Sequence, residues 1–157
     1  MKNTSDKHVA MEWDRITDYI IIGTNLCCSA HAEGLYEIGI ETDIDLEEER
    51  SYDPMDIASS LWLPTIDHTA PTMDQLLAGT ALLGQLEKRR KIAYVHCKNG
   101  HGRAPTLVAA YFIRLGLMPK DAVKKIAAKR KEIHIEEIQL ARLEEFASLV
   151  QLPNVPG

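Results

Sequence analysis

Apolar residues along the chain follow two repeating patterns, which predict alternating strands and helices. Short β-branched or alternating runs are typical of strands, and apolar residues spaced three or four apart are typical of helices. The predicted strands are Trp13 to Ile22, Ile40 to Leu46, Leu61 to Ile66 and Ile92 to His96. The predicted helices lie within Asn25 to Ile38, Met73 to Arg90, Arg103 to Leu115, Pro119 to Ile133 and Glu136 to Val150. This order favours an α/β fold, a single-domain central sheet flanked by helices on both faces.

Local signals sharpen several of these boundaries. Gly39 is placed to end the first helix. Thr72 is a predicted N-cap, with Gln75 three residues later completing a capping box. Pro64 marks its strand as an edge strand or a kinked one. The acidic run from Glu47 to Arg50 predicts a solvated turn.

Length, charge and cysteine content limit the classes of protein that need considering. With 157 residues the chain fits one domain, which we expect to span 13–150, between a loose lead-in at 1–12 and a tail at 151–157. A net charge of −5 gives no reason to expect nucleic-acid binding. The chain has no run of about 18 apolar residues, so we expect no membrane span. No apolar stretch follows the N-terminal residues, so we expect no signal peptide. Three cysteines, of which Cys27 and Cys28 are adjacent, favour a reducing compartment, so the expected location is cytoplasmic.

The stretch between the fourth strand and the third helix carries the chemistry. Cys97 follows the strand, Arg103 begins the helix, and Gly100 and Gly102 allow a tight loop between them. A loop that closes on a helix N-terminus directs free N–H groups at an anion, and the helix dipole adds positive potential. Such surroundings favour a thiolate, and a guanidinium matches two phosphate oxygens. The residues therefore predict a site that binds phosphate and attacks it.

The pattern His96-Cys97-x-x-Gly100-x-x-Arg103 resembles the phosphate-binding loop of the cysteine-based protein tyrosine phosphatases. The surroundings, from Ile16 to Phe146, are most similar to the compact dual-specificity branch. The resemblance implies that Cys97 is the nucleophile and that Arg103 binds the phosphate. It also implies that the loop residues contact substrate and that His96 supports the loop or the cysteine through a hydrogen bond. The substrate-binding set is Lys98, Asn99, Gly100, His101, Gly102 and Arg103.

One position departs from the family. Members usually have Ser or Thr after the arginine, where the hydroxyl helps the cysteine to leave, and this chain has Ala104. Thr106 lies two residues further on. Lys98 and His101 are expected to point outward, towards either substrate or solvent.

The family uses an aspartate about thirty residues before the cysteine as general acid. Asp67 lies 97 − 67 = 30 residues before Cys97 and directly follows a predicted strand. The resemblance therefore assigns Asp67 as the acid and, in the second step, as the base. Asp74 is the alternative, although a place in the first turn of a helix explains it as a dipole partner. Asp53 and Asp56 are further alternatives, and Gln139 is either a water-positioning residue or an exposed helix residue.

The expected function is hydrolysis of phosphate monoesters through a phosphocysteine, with phosphotyrosine, phosphoserine and phosphothreonine in proteins as default substrates. The flanks of the loop are similar to phosphatases that act on phosphatidylglycerophosphate, so a phospholipid or another small phosphorylated molecule is the alternative. Because of Ala104, a phosphate-binding module without turnover also stays open, as does a rhodanese-like sulfur transferase. The basic run Lys88 to Lys91 is either a solvated helix end or a lipid-headgroup contact. We expect no metal and no cofactor, and the oligomeric state is left open.

Overall fold

A computed structural model of the chain describes residues 11–26, 29–48 and 57–151. Within these ranges the strands are β1 (Trp13–Arg15), β2 (Ile20–Gly23), β3 (Ile40–Glu47), β4 (Ser59–Thr65) and β5 (Ile92–His96). The helices are α1 (Ser29–Ile38), α2 (Met73–Lys88), α3 (Arg103–Arg114), α4 (Pro119–Ala127) and α5 (Glu137–Val150). Cys27, Cys28, Asp53 and Asp56 lie outside the described residues.

The five strands form one sheet in the order β1-β2-β5-β3-β4. β1 pairs antiparallel with β2, and the other neighbours are parallel. In parallel sheets the carboxyl ends of the strands meet at one edge, which is where ligands bind in open α/β folds. Cys97 therefore leaves the sheet at the edge where a site is expected. β4 is an edge strand, as Pro64 predicts.

Helices cover both faces of the sheet, as the sequence predicts. One face packs against α1 through a small cluster, namely Ile21, Leu26, Leu35, Ile40 and Tyr94. The other face carries the larger core, to which α2, α3, α4 and α5 all contribute. Helix α3 is buried from Arg103 to Ile113. A helix enclosed on all sides holds its N-terminus rigidly beneath the loop that precedes it.

Three element predictions need correction. The predicted strand Trp13 to Ile22 is two short strands, because the N–H groups of Ile16 and Thr17 both donate to Ile20 O and close a turn. Helix α4 ends at Ala127 rather than near Ile133. It ends there because the N–H groups of Lys129 and Arg130 both donate to Ile126 O and close a turn. The apolar residues of the last helix, Ile138, Leu140, Leu143, Phe146 and Leu149, predict one buried face, but in α5 only Leu143 and Phe146 of these are buried, and the other three are exposed.

Candidate active site

The loop between β5 and α3 forms the floor of a pocket of about 210 Å³. Cys97 is a buried free cysteine at the start of this loop, and Arg103 begins α3 at its end. Three segments line the pocket: the β4–α2 loop, the β5–α3 loop and the start of α5 with the residues before it. The lining residues are Asp67, His68, Cys97, Lys98, Asn99, His101, Gly102, Arg103, His134, Glu136 and Gln139.

Five consecutive carbonyl groups of the loop accept hydrogen bonds from other parts of the protein. The acceptors and donors are Lys98 O with Asn25 N (3.1 Å), Asn99 O with Arg130 Nη2 (3.0 Å), Gly100 O with Arg130 Nε (2.9 Å), His101 O with His134 N (2.6 Å) and Gly102 O with Thr106 Oγ1 (2.7 Å). In a trans peptide the N–H points opposite to the C=O. The N–H groups of residues 99–103 therefore face away from these donors, which makes the loop an anion cradle.

Gly100 is the loop position that needs glycine. Its φ is +68°, in the left-handed region, and a Cβ there would lie 2.6 Å from Gly23 O. Both constraints come from the loop packing directly on the end of β2. A side chain at this position would push the cradle off the sheet.

Arg130 holds the outer side of the loop, a role that the sequence does not indicate. Its side chain is buried and donates to Gly100 O, to Asn99 O and to Asp14 Oδ2, the last at 2.7 Å. One guanidinium thus orients two loop peptides and ties them to β1. Arg130 follows α4 within a run of basic residues, and such a run is typical of an exposed surface. The sequence around Arg130 therefore does not predict this contact.

Arg103 and Asp67 meet at the mouth of the pocket. Arg103 is buried and donates from Nη1 to Thr65 O (2.8 Å), at the end of β4. Its Nη2 lies 3.3 Å from Asp67 Oδ1, on a carboxylate that is 55% exposed. The structure therefore brings Asp67 into the same pocket as Cys97. Asp74 is exposed in the first turn of α2 and is not among the pocket-lining residues.

The α5 side of the pocket is fixed by Gln139. The expectation that Gln139 is an exposed helix residue is wrong, since the side chain is 1% exposed. Its Nε2 donates to Thr69 O (3.0 Å) in the loop that carries Asp67, and its Oε1 accepts from Glu136 N (3.0 Å). Gln139 therefore joins α5 to the acid-bearing loop and lines the pocket at the same time.

His68 adds a charged contact at the same place. Its Nδ1 lies 2.5 Å from Glu136 Oε1, and this contact, followed by the charge of Asp67, raises the pKa of the exposed His68. Lys98 is exposed and His101 is 40% exposed, 3.7 Å from Glu132. Both line the pocket and also meet solvent, so the structure keeps both roles open to them.

His96 points away from the pocket, into a buried cluster of carboxylates. Its Nε2 lies 2.9 Å from Asp43 Oδ1, and its Nδ1 lies 3.7 Å from both Asp45 Oδ1 and Glu47 Oε1. Its neighbours are thus the side chains of β3, rather than the loop or the cysteine. The expected solvated turn is wrong at Glu47, which is buried, while Glu49 and Arg50 lie outside the described residues.

The pKa values of two members of the cluster, His96 and Asp45, are raised. Burial alone would lower the pKa of His96, but the adjoining carboxylates of Asp43 and Glu47 outweigh burial and raise it. Burial raises the pKa of Asp45, against the opposing effect of the His96 charge. Three carboxylates therefore share one imidazole in a place that disfavours net charge.

Ala104 is fully buried at the start of α3, and Thr106 does not substitute for the missing hydroxyl. The Thr106 hydroxyl donates to Gly102 O, one turn back along its own helix. It is therefore committed to the loop backbone.

Taken together, the fold and the loop define a cysteine-based phosphatase domain of the dual-specificity type. Residues 17–149 match the family described as "PTP-SAK: Swiss Army Knife protein, DSP-PTPase phosphatase domain", and the chain belongs to this family. The predicted superfamily and branch are thus confirmed.

Individual relatives agree with this assignment. The human phosphatidylglycerophosphatase and protein-tyrosine phosphatase 1 is 42% identical over 88 residues, which cover 55% of this chain and 44% of the relative. A crystal structure of PTPMT1 in complex with PI(5)P is 26% identical, with a TM-score of 0.79 and coverage of 88% and 96%. A mouse putative dual specificity phosphatase, at 19% identity, shows the same fold with a TM-score of 0.80 and coverage of 96% and 95%. The chain spans less than half the length of the human relative.

Proposed function

We propose that the chain hydrolyses phosphate monoesters through a phosphocysteine on Cys97. One observation carries the proposal: a single pocket contains Cys97, Arg103 and Asp67 above a loop whose carbonyl groups accept hydrogen bonds from other parts of the protein. Phosphoryl transfer depends mainly on positioning and charge stabilisation, which this arrangement supplies.

In the first step the Cys97 thiolate attacks phosphorus in line. The S–P bond forms and the P–O bond to the leaving group breaks, while Asp67 gives that oxygen its proton. Arg103 and the loop N–H groups hold the equatorial oxygens. In the second step Asp67 takes a proton from water, the water oxygen attacks phosphorus, and the S–P bond breaks to release phosphate and the thiolate.

The first test is phosphate release from para-nitrophenyl phosphate between about pH 5 and 8. We expect wild type to turn over and Cys97→Ser to be inactive. Asp67→Asn should lower kcat by a factor of 10² or more, the range of general acid catalysis, and lose the alkaline fall in rate, since Asn has no proton to lose. Asp74→Asn is the matched control and should keep the wild-type profile.

If wild type released no phosphate but still bound vanadate, the chain would be a phosphate-binding module rather than an enzyme. This is the alternative that Ala104 motivates. Thiosulfate sulfurtransferase activity without phosphate release would favour the rhodanese-like reading instead. An Asp67→Asn variant with a wild-type profile would show that the acid is another residue.

We propose a phospholipid phosphomonoester of the phosphatidylglycerophosphate type as the substrate. The name of the human relative and the ligand of the PTPMT1 crystal structure support this choice. So do two exposed apolar side chains, because Ile66 and Ile138, the sequence neighbours of the pocket residues Asp67 and Gln139, are 64% and 52% exposed. Apolar side chains beside an anion site suit a headgroup that stays attached to acyl chains. Within the described residues no helix is long and apolar enough to cross a membrane.

Phosphotyrosine in proteins is the second candidate, because the human relative is also named a protein-tyrosine phosphatase. Phosphate release from phosphatidylglycerophosphate in mixed micelles, compared with a phosphotyrosine peptide, separates the two. We expect kcat/KM to be at least about tenfold higher for the lipid, the effect of roughly 1.4 kcal/mol of extra contact. Ile66→Ser should lower the lipid value and leave the value for para-nitrophenyl phosphate unchanged. A higher value for the peptide would reverse the assignment, and the cytoplasmic location remains a prediction for cell fractionation.

A further inference from the structure

A cluster of four ionisable side chains lies beneath the loop, outside the pocket. Asp43, Asp45 and Glu47 project from one face of β3, and His96 projects from the neighbouring strand β5, where it pairs in register with Asp45. The exposed fractions of these side chains are between 2% and 11%. No lysine or arginine of the described residues forms an ion pair with the three carboxylates. The cluster is therefore short of positive charge.

The imidazole of His96 is the observation that points to a ligand. His96 is 3% exposed and, like its Nε2, its Nδ1 has no hydrogen-bond partner. This nitrogen is directed at Asp45 Oδ1 and Glu47 Oε1, each 3.7 Å away. The distance is too long for a hydrogen bond. It is close to the separation of about 3.4 Å between two ligands of a tetrahedral ion with bonds of about 2.1 Å.

The surroundings of the three atoms match those of a metal site. Among the described residues, Asp45, Glu47 and His96 form the group whose ligand atoms all lie within 4.8 Å of one another. The other ring nitrogen, Nε2, lies 2.9 Å from Asp43 Oδ1, the place of the orienting carboxylate in carboxylate–histidine–metal triads, although the two atoms do not form a hydrogen bond. Asp45 is itself oriented, because its Oδ1 accepts from Glu47 N at 2.8 Å.

An entry path is also present. Glu47 lines a cleft of about 160 Å³, together with Glu48, Asp67, Lys98 and Arg103. An ion arriving through this cleft would meet the one ligand of the cluster that reaches solvent.

We propose that Asp45, Glu47 and His96 form a zinc-type divalent metal site, with Asp43 orienting the imidazole. One nitrogen and two carboxylate oxygens, with a fourth position for water, suit Zn²⁺. The ion would offset two of the three negative charges of the cluster and fix the end of β5 directly before Cys97. The proposal does not depend on phosphatase activity, and the expectation of no metal from the sequence would then be wrong. That expectation arose because no linear spacing joins β3 to His96, 49 residues beyond Glu47 (96 − 47).

The test uses the full chain, untagged and stripped with a chelator. Cys97→Ser is the background, because a thiolate in the pocket would bind zinc by itself. We expect calorimetric titration with ZnCl₂ to show one ion per chain and thermal unfolding to shift upward. Asp45→Asn and Glu47→Gln should each weaken zinc binding by at least about 100-fold and abolish the shift. Asp43→Asn, which removes an orienting partner, should weaken it by about 10–100-fold.

Glu48→Gln is the matched control, since Glu48 is exposed in the same cleft but outside the cluster. It should bind zinc like the background. Circular dichroism of the metal-free variants checks that each is folded before zinc is added. The proposal would be overturned if zinc did not bind stoichiometrically, or if Glu47→Gln and Glu48→Gln bound zinc with equal affinity. Bound protons, rather than a metal ion, would then offset the negative charge of the cluster.

Discussion

Arg130 determines which way the loop peptides point. It binds two consecutive carbonyl groups with one guanidinium, and so holds the N–H groups of the next two residues towards the anion. Arg103, the proposed phosphate ligand, is itself fixed by Thr65 O. The cradle therefore depends on two buried arginines, and only one of them belongs to the contiguous motif.

Arg130→Met keeps the length and apolar character of the side chain but removes the donors. We expect a loss of about 3 kcal/mol in the free energy of unfolding, because two buried carbonyls lose charge-assisted hydrogen bonds. We also expect vanadate affinity to fall by about tenfold or more, since the loop N–H groups are no longer held. Urea denaturation and vanadate inhibition of para-nitrophenyl phosphate hydrolysis measure the two effects. Arg130→Lys should recover part of the affinity.

Arg114→Met controls for loss of a single arginine, because Arg114 is exposed near the other end of α3. Its vanadate affinity should equal that of wild type. If Arg130→Met lost stability but kept vanadate affinity, Arg130 would be a structural residue without influence on the cradle.

At the scale of elements, α5 positions the loop that carries Asp67. Three side chains from the start of α5 and its N-cap contact residues 68–71: Glu136 contacts His68, Gln139 donates to Thr69 O, and Arg142 donates to Pro71 O at 2.7 Å. At the other end of the loop, Thr72 and Gln75 form the predicted capping box of α2. Asp67 therefore directly precedes a short segment that α5 and the start of α2 hold in place.

Arg142→Met removes one of these attachments without touching the pocket lining. We expect faster amide hydrogen exchange in residues 66–72 and a several-fold lower kcat for para-nitrophenyl phosphate, because the acid is less well placed. Vanadate affinity should change little, since the β5–α3 loop is intact. Glu145→Gln is the control, because it removes the exposed Arg142–Glu145 ion pair and leaves the contact to Pro71. Exchange rates equal to wild type in Arg142→Met would show that α5 does not hold the loop.

The same scale shows what the sequence can predict. β5, α3 and the loop between them are predicted well, because hydrophobic pattern, glycines and a contiguous motif agree. The residues that meet the loop from elsewhere are harder to find, and Arg130 and Glu47 are the examples. Each lies in a charged run that is typical of surface, and each is buried because a distant element supplies its partners. The single predicted strand at Trp13 to Ile22 failed for a related reason, since a side-chain and backbone turn interrupts a continuous β-type composition.

At the scale of the whole molecule, the pocket joins segments that are distant along the chain. Asp67 follows β4, Cys97 and Arg103 flank the β5–α3 loop, and Gln139 lies in α5. An oxyanion in this pocket contacts a constellation that the unfolded chain does not have, so it binds the folded state selectively. Binding of this kind stabilises the fold by mass action.

Inorganic vanadate at about 100 times its dissociation constant should therefore stabilise the chain by about 2.7 kcal/mol. For a domain of this size that corresponds to a rise in Tm of roughly 5–11 °C. Arg103→Lys keeps the positive charge but loses the planar fork of the guanidinium. Its Tm should therefore rise less than that of wild type at the same vanadate concentration. Sodium chloride at matched ionic strength is the control for screening and should give no comparable rise. If sodium chloride raised Tm as much as vanadate does, or if vanadate raised the Tm of Arg103→Lys as much as that of wild type, the stabilising anion would bind outside the loop. A selective rise would show that the five inward N–H groups and Arg103 act together as one binding site.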